Sequence, residues 1–238
     1  METVKNKNIL IIGATGGIGN KTVRLLSSSG ANLFIAARNK EKLEILAGEI
    51  GLDKNKTLAL DISRPQEVTV LKDNYFSQYP TIDILINAAG IGIIKPMAEL
   101  SEAEFLRSVN YNLYGAFLLV KAFLPKMKDD KKGLIINIPG ILGKVPMAGA
   151  AAYSASKYGL VGMMQSIREE IKRTEIRITN LFLGGVDTPF WDTIDLRVQR
   201  DKMVMAEEAA KAIWFLCQQP TSGVVSEMVI QPFNHQAI

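Results

Sequence analysis

The chain has 238 residues, 47% hydrophobic and 22% charged, with a formal net charge of +4. That length suits one large core, and no uninterrupted run of 18 apolar residues is present to span a bilayer. The positive charge is scattered, with Lys131-Lys132 and Lys172-Arg173 only brief pairs, so no phosphate-tracking stripe and no nucleic-acid partner are expected.

Residues 1–6 run straight into an apolar segment with no basic n-region, h-region and cleavage site, which reads as a cytoplasmic protein. Short apolar runs then alternate with helical patterns along the whole chain. Strands are expected at residues 8–12, 32–36, 57–60, 82–86, 134–138, 177–182 and 227–230. Most are apolar throughout, as a sheet covered on both faces requires. The expected fold class is therefore α/β: one domain over residues 1–238, a doubly wound parallel sheet of about seven strands with helices on both faces.

After the first strand comes Gly13-Ala14-Thr15-Gly16-Gly17-Ile18-Gly19, followed by a helical pattern over residues 20–29. Glycines allow a tight turn and a close backbone approach, and the helix N-terminus behind them favours a phosphate group. The turn reads as a dinucleotide cradle, against the alternative of a tight turn without a ligand. The second strand ends in Ala36-Ala37-Arg38-Asn39. No carboxylate stands there to accept from a ribose 2′-OH, and the Arg38 guanidinium can pair with a 2′-phosphate, which points to NADP(H). Arg38 also reads as a solvated residue at a helix start.

Ser63-Arg64-Pro65-Gln66 and Ser101-Glu102-Ala103-Glu104 both look like helix-starting capping boxes, and Pro125 is expected at the far end of the long helix that begins near Ser101. Further on, Tyr153 and Lys157 stand four apart in a helical stretch, so their Cβ atoms lie about 5–6 Å apart on one face. A neighbouring Lys⁺ is expected to lower the Tyr153 pKa toward the working range of an acid or base. The pair alone reads equally as an exposed contact worth a few tenths of a kcal/mol. A helix is expected to begin near Ala206, and the single cysteine, Cys217, falls in its apolar pattern, where a packed thiol is expected. The lone histidine, His235, rules out a multi-histidine metal site and disfavours a Ser-His-Asp triad, so no metal is expected.

With the glycine turn and Tyr153-x-x-x-Lys157 together, the chain resembles the short-chain dehydrogenase/reductase family over essentially its full length. The resemblance implies a Rossmann-type fold, an NADP(H) cofactor and carbonyl/alcohol chemistry on a small molecule. Asn87-Ala88-Ala89-Gly90 is similar to the family's segment after strand four, and Leu60-Asp61-Ile62 to its element after strand three, which places Asp61 at the adenine amino group. Asn112 carries over from N-L-x-G, and Val186-Asp187-Thr188 resembles V-x-T, where Val186 and Thr188 hold the nicotinamide carboxamide. The implied roles are Tyr153 as general acid/base, Lys157 as ribose ligand and electrostatic partner, and Asn112 as holder of a water chain. Asn112 reads alternatively as a helix-bending structural amide. The implied cofactor-binding set is Gly13, Thr15, Gly17, Ile18, Gly19, Arg38, Asp61, Ile62, Asn87, Ala88, Gly90, Tyr153, Lys157, Val186 and Thr188.

Family members carry a serine thirteen residues before the tyrosine, and that count lands on Gly140. Asn137-Ile138-Pro139-Gly140 otherwise resembles N-I-S-S, so both hydroxyls are gone, and Ser154 points roughly 100° away from Tyr153 around the helix. Loss of one donor to an oxyanion costs about 2.7–4 kcal/mol. Three readings follow: a working reductase whose substrate or a water supplies the bond, an NADP(H)-binding protein with vestigial turnover, or a structural subunit independent of NADP. Leu183-Gly184 stands where the family commonly has Pro-Gly.

Residues 188–205 correspond to the family's substrate lid, and Phe190, Trp191 and Ile194 there either close over an apolar substrate or pack on the core. Met147 and Ala148 to Ala152 suggest room for a bulky or apolar carbonyl compound. Residues 102–124 and 151–173 hold an excess of apolar side chains, including Phe117, Leu118, Val120, Met163 and Met164, which fits a homodimer or homotetramer interface with buried core as the alternative. The tail from residue 229 to 238 is a further candidate contact.

Overall fold

Strand β1 (Asn8–Ile12) is the first of seven parallel strands, and its alternate residues feed two different cores. In the computed structural model, which describes residues 2–234, Ile9 and Ile11 face one layer while Leu10 and Ile12 face the other. All four are at most 1% exposed, so each contributes roughly 1.5–3 kcal/mol of burial. The run has to be apolar throughout because neither face meets water.

From β1 the chain passes through α1 (Gly17–Ser27) to β2 (Asn32–Ala37), through α2 (Lys40–Glu49) to β3 (Thr57–Ala59), and through α3 (Pro65–Gln78) to β4 (Ile84–Asn87). Helix α4 (Glu102–Val109), a π-helical turn (Asn110–Tyr114) and α5 (Gly115–Asp129) follow without a break and return to β5 (Lys132–Asn137). Then come α6 (Ala151–Ile171), β6 (Glu175–Leu183), the short parallel pair β7 (Val186–Asp187) and β8 (Val204–Met205), α7 (Ala206–Leu216) and β9 (Glu227–Ile230). The sheet order is β3-β2-β1-β4-β5-β6-β9. Strand order reverses between β1 and β4, which opens a crevice at the carboxyl ends of the strands.

All seven expected strands form, and the fold class is the one the sequence implies. Strand four starts later than expected because Asp83 stays outside the ladder: its N–H donates to Asn8 O and its carboxylate accepts from Asn8 N at 2.8 Å. The Ser101 capping box is present, with Ser101 Oγ accepting from Glu104 N and the Glu104 carboxylate accepting from Ser101 N. The second expected box is not. Helix α3 is capped by Arg64 without a side-chain bond, because the Ser63 hydroxyl donates to Asp61 Oδ1 instead. Pro125 does not end its helix either. It lies inside α5, held by the burial of Phe123, Leu124 and Met127 around it. Of the apolar excess, Val120 and Met164 belong to the core, whereas Phe117 is exposed. His235 and the last residues of the tail lie outside the described residues.

Candidate active site

The turn after β1 is built from backbone packed too closely for side chains. Gly13 has φ +80°, and a β-carbon there would stand 2.7 Å from Ala88 C and Ala89 N. One on Gly19 would stand 2.1 Å from Gly13 O, and one on Gly17 2.5 Å from Thr188 Cβ. Three separate pieces of sequence, the glycine turn, the segment after β4 and the start of the lid, thus meet at one place. Thr15 and Ile18 are partly exposed at its mouth. Helix α1 starts here with no acidic residue in its first turn and no side-chain cap on Gly16, so its N-terminal amides are open to a phosphate.

On one side of the turn lies the end of β2. Arg38 is exposed, and its guanidinium carbon sits 4.4 Å from the centre of the Tyr111 ring. Asp61 follows β3. Burial raises its carboxyl, but hydrogen bonds from Ser63 Oγ and N, with the charges of Arg38 and Arg64, outweigh this and hold it below the usual range. Ile62 is buried against Gly115, where a β-carbon would stand 2.7 Å from its Cγ1. Asn87 spans β4 and β5, donating weakly to Asn137 Oδ1 at 3.4 Å and accepting from Ala89 N at 3.3 Å.

On the other side stand Tyr153 and Lys157, carried by α6. Lys157 is 3% exposed, and its Nζ donates to Ile138 O at 3.1 Å. A β-carbon on Gly90 would lie 3.3 Å from that Nζ and 3.5 Å from Asn112 Oδ1. Asn112, Lys157 and the segment after β4 therefore converge on Gly90. The Asn112 side chain accepts from Ile91 N at 2.8 Å and donates to Ile91 O and Ser156 Oγ, each at 3.0 Å. These contacts tie Asn112 to the loop at Ile91 and to α6. Ser156 Oγ in turn donates to Tyr153 O at 2.7 Å, so one chain of bonds links the loop at Ile91 to the turn bearing Tyr153.

The expected lowering of the Tyr153 pKa is corrected. Burial pushes the phenol above its ordinary value, although the Lys157 Nζ lies 5.5 Å from the ring centre. The same burial brings Lys157 down to about 8. Both groups are driven toward their neutral forms.

Gly140 has φ 70° and ψ 169°, and a β-carbon there would stand 3.7 Å from Tyr153 Oη and 3.7 Å from Leu183 O. The position thus faces the phenol. Leu183 itself is the last residue of β6 and pairs with Ile230.

Phe190 and Ile194, from residues 188–205, pack over this site. The Phe190 ring centre is 5.9 Å from that of Tyr153, and a β-carbon on Gly92 would lie 2.3 Å from Phe190 Cζ and 2.8 Å from Ile194 Cδ1. Val186 is buried and its carbonyl accepts from Trp191 Nε1 at 3.0 Å and from Thr188 Oγ1 at 3.4 Å. Arg200 ties the lid's return to Asp187 and Asp192 at 2.5 and 2.7 Å. Cys217 is buried, and its thiol is pushed up to about 12.

Sequence reasoning missed Tyr111, Gly92, Ser156 and Ser108, whose buried hydroxyl lies 3.4 Å from both Ser156 Oγ and Asn112 Nδ2. Ser108 and Asn112 are four apart, a helical spacing that marks a shared face and could have found that serine. Nothing local marks Tyr111 or Gly92.

A family model described as short chain dehydrogenase matches residues 7–198. An uncharacterized oxidoreductase of Staphylococcus saprophyticus is 32% identical over 241 residues, covering 98% of each chain. Among solved structures, an alcohol dehydrogenase from the archaeon Thermococcus sibiricus complexed with 5-hydroxy-NADP superposes with a TM-score of 0.88 at 25% identity, over 98% of this chain and 100% of that one. An actinorhodin polyketide ketoreductase with NADPH gives 0.85 at 27% identity, over 98% of both chains.

Proposed function

The chain belongs to the short-chain dehydrogenase family, and on that premise we propose that it is an NADP(H)-dependent oxidoreductase interconverting a carbonyl compound and its alcohol. The residues fit the dinucleotide: the uncapped α1 N-terminus with Gly13, Thr15, Gly17, Ile18 and Gly19 for the pyrophosphate, and Arg38, Asp61, Ile62, Asn87, Ala88 and Gly90 for the adenosine side. Val186 and Thr188 would hold the carboxamide. When bound, the nicotinamide supplies or accepts the hydride.

In the reducing direction Tyr153 gives its proton to the developing alkoxide, and in the oxidising direction it takes one back. Burial keeps the phenol in its protonated form, the form that reduction needs. Lys157 Nζ uses one donor on Ile138 O and keeps the others for the ribose hydroxyls. Asn112 fixes the loop at Ile91 and, through Ser156, the backbone of Tyr153. The lid residues Phe190 and Ile194 exclude water from the phenol. The observation that carries this reading is the convergence of Lys157 Nζ and Asn112 Oδ1 on Gly90, beside the glycine turn.

The test is NADPH consumption against a panel of aliphatic, aromatic and acyl-thioester carbonyls, with Tyr153→Phe as the control. Turnover that survives Tyr153→Phe undiminished would refute the mechanism. A second reading, an NADP(H)-binding protein with vestigial turnover, is favoured by Gly140, which offers no hydroxyl to the substrate oxygen. Nucleotide binding without turnover of any carbonyl would select it.

The apolar Phe190 and Ile194 beside Tyr153 and Gly92 suit an uncharged, apolar carbonyl compound. Exposed Phe105 and Phe117 on α4 and α5, with Tyr158 on α6, suit a homodimer or homotetramer built on those helices, which light scattering measures. Among the described residues no helix is long and apolar enough to cross a membrane. A cytoplasmic location is part of the proposal.

A further inference from the structure

Tyr111 and Asn112 are consecutive, and both are buried, at 8% and 2% exposure. They sit on the π-helical turn between α4 and α5, and their side chains serve opposite ends of the same crevice. Asn112 reaches Ile91 and Ser156 beside Lys157, while the Tyr111 ring lies under the Arg38 guanidinium at 4.4 Å. A cation over an aromatic face at that distance is attracted by the ring's quadrupole. Burial raises the Tyr111 phenol, and the Arg38 charge partly offsets this.

Arg38 would otherwise be poorly placed to select a ligand. It is exposed, it follows the last residue of β2, and among the described residues it makes no ion pair within 4.0 Å. A long side chain left free in water has to be ordered when it binds a phosphate. The floor that would order it comes from the π turn. Gly115, four residues on from Tyr111, leaves room for Ile62, and Ile62 and Tyr111 belong to one buried cluster that backs the ring. Asp61 lies within electrostatic reach of the guanidinium from the segment after β3.

We propose that Tyr111 is a positioning residue that holds the Arg38 guanidinium over the adenosine end of the site and so biases it toward nucleotides with a 2′-phosphate. The proposal rests on the NADP(H) reading above. Because Tyr111 acts through Arg38, its contribution belongs to the phosphate and not to the adenine.

The experiment titrates NADPH and NADH separately, by nucleotide fluorescence, into wild type, Tyr111→Leu, Tyr111→Phe, Arg38→Ala and the double variant Arg38→Ala/Tyr111→Leu. Tyr111→Leu should weaken NADPH by about three- to thirty-fold, the range of a cation–π contact, with NADH changed less than about twofold. Tyr111→Phe, which keeps the ring face, should restore most of the NADPH affinity. In the Arg38→Ala background, Tyr111→Leu should have no further effect on NADPH. If Tyr111→Leu does not fold, Tyr111→Met fills the same space without a ring and takes its place. Equal losses for both nucleotides, or an undiminished Tyr111→Leu effect without Arg38, would overturn the proposal. Wild type that binds neither nucleotide overturns the cofactor reading itself, and wild type that binds both equally well overturns the bias alone.

Discussion

A β-carbon added to Gly140 would stand 3.7 Å from Tyr153 Oη, yet the backbone that aims it there has φ 70° and ψ 169°. The position is directed at the phenol and held in a conformation that L residues resist. A serine forced into it carries strain of about 1–3 kcal/mol. Pro139, just before it, fixes its own φ and limits how the loop can relax. Gly140→Ser alone should therefore lower the melting temperature and add little activity. The double variant Pro139→Ser/Gly140→Ser, free to move, should gain up to about 10²–10³ in kcat from the new donor. Melting curves and kinetics on both variants decide this, and a single variant as stable as wild type and fully activated would contradict the strain argument.

The direction of the Tyr153 shift predicts different pH profiles for the two directions of reaction. Reduction needs the phenol and oxidation needs the phenolate. Burial raises the Tyr153 pKa above its ordinary value, so carbonyl reduction should be flat through neutral pH, while alcohol oxidation should climb steadily as pH rises. Tyr153→Phe should cost about 10²–10⁴ in both directions. Initial rates in each direction across a pH series test the point, and an oxidation rate independent of pH would count against it.

Gly92 gives the lid its resting place. A β-carbon there would meet Phe190 Cζ at 2.3 Å and Ile194 Cδ1 at 2.8 Å, both far ends of side chains that can swing away. Gly92→Ala should thus displace the lid without unfolding the protein. The expected result is a several-fold change in KM for the carbonyl substrate and faster proteolysis between residues 188 and 203, with melting temperature nearly unchanged. Unaltered proteolysis and KM would show that Phe190 does not depend on Gly92 for its position.

What was legible in the sequence follows from where physics acts locally. The strands were readable because a sheet covered on both faces forces runs such as Ile9 to Ile12 to be apolar throughout. The glycine turn was readable because Gly13 and Gly19 have no room for a side chain. Three features were not. Pro125 breaks a helix by local rules, but the buried Phe123, Leu124 and Met127 carry α5 past it. The π turn adds no composition signal, and with it Tyr111 went unseen. The Tyr153 shift went the other way because desolvation depends on packing from distant segments, whereas the Lys157 spacing is visible in five residues.

Lys157 should make stability depend on pH in a window set by its own titration. Its ammonium is 3% exposed, and burial lowers it from 10.5 to about 8. Below the folded value both folded and unfolded chains hold the proton, and the folded state bears the full cost of the buried charge, about 3 kcal/mol. Between about 8 and 10.5 the folded chain releases the proton while the unfolded chain keeps it. The unfolded state then binds more protons, so this residue's contribution to stability rises with pH and levels off above the unfolded value. Lys157→Met should accordingly be more stable than wild type at neutral pH, with the gap closing as pH climbs through that window. Tyr153, raised by burial, works in the opposite sense at the alkaline end, but it is present in both proteins and cancels in the difference. Urea unfolding of the two proteins across the window measures it, and a constant gap would mean that Lys157 is not titrating as the buried geometry requires.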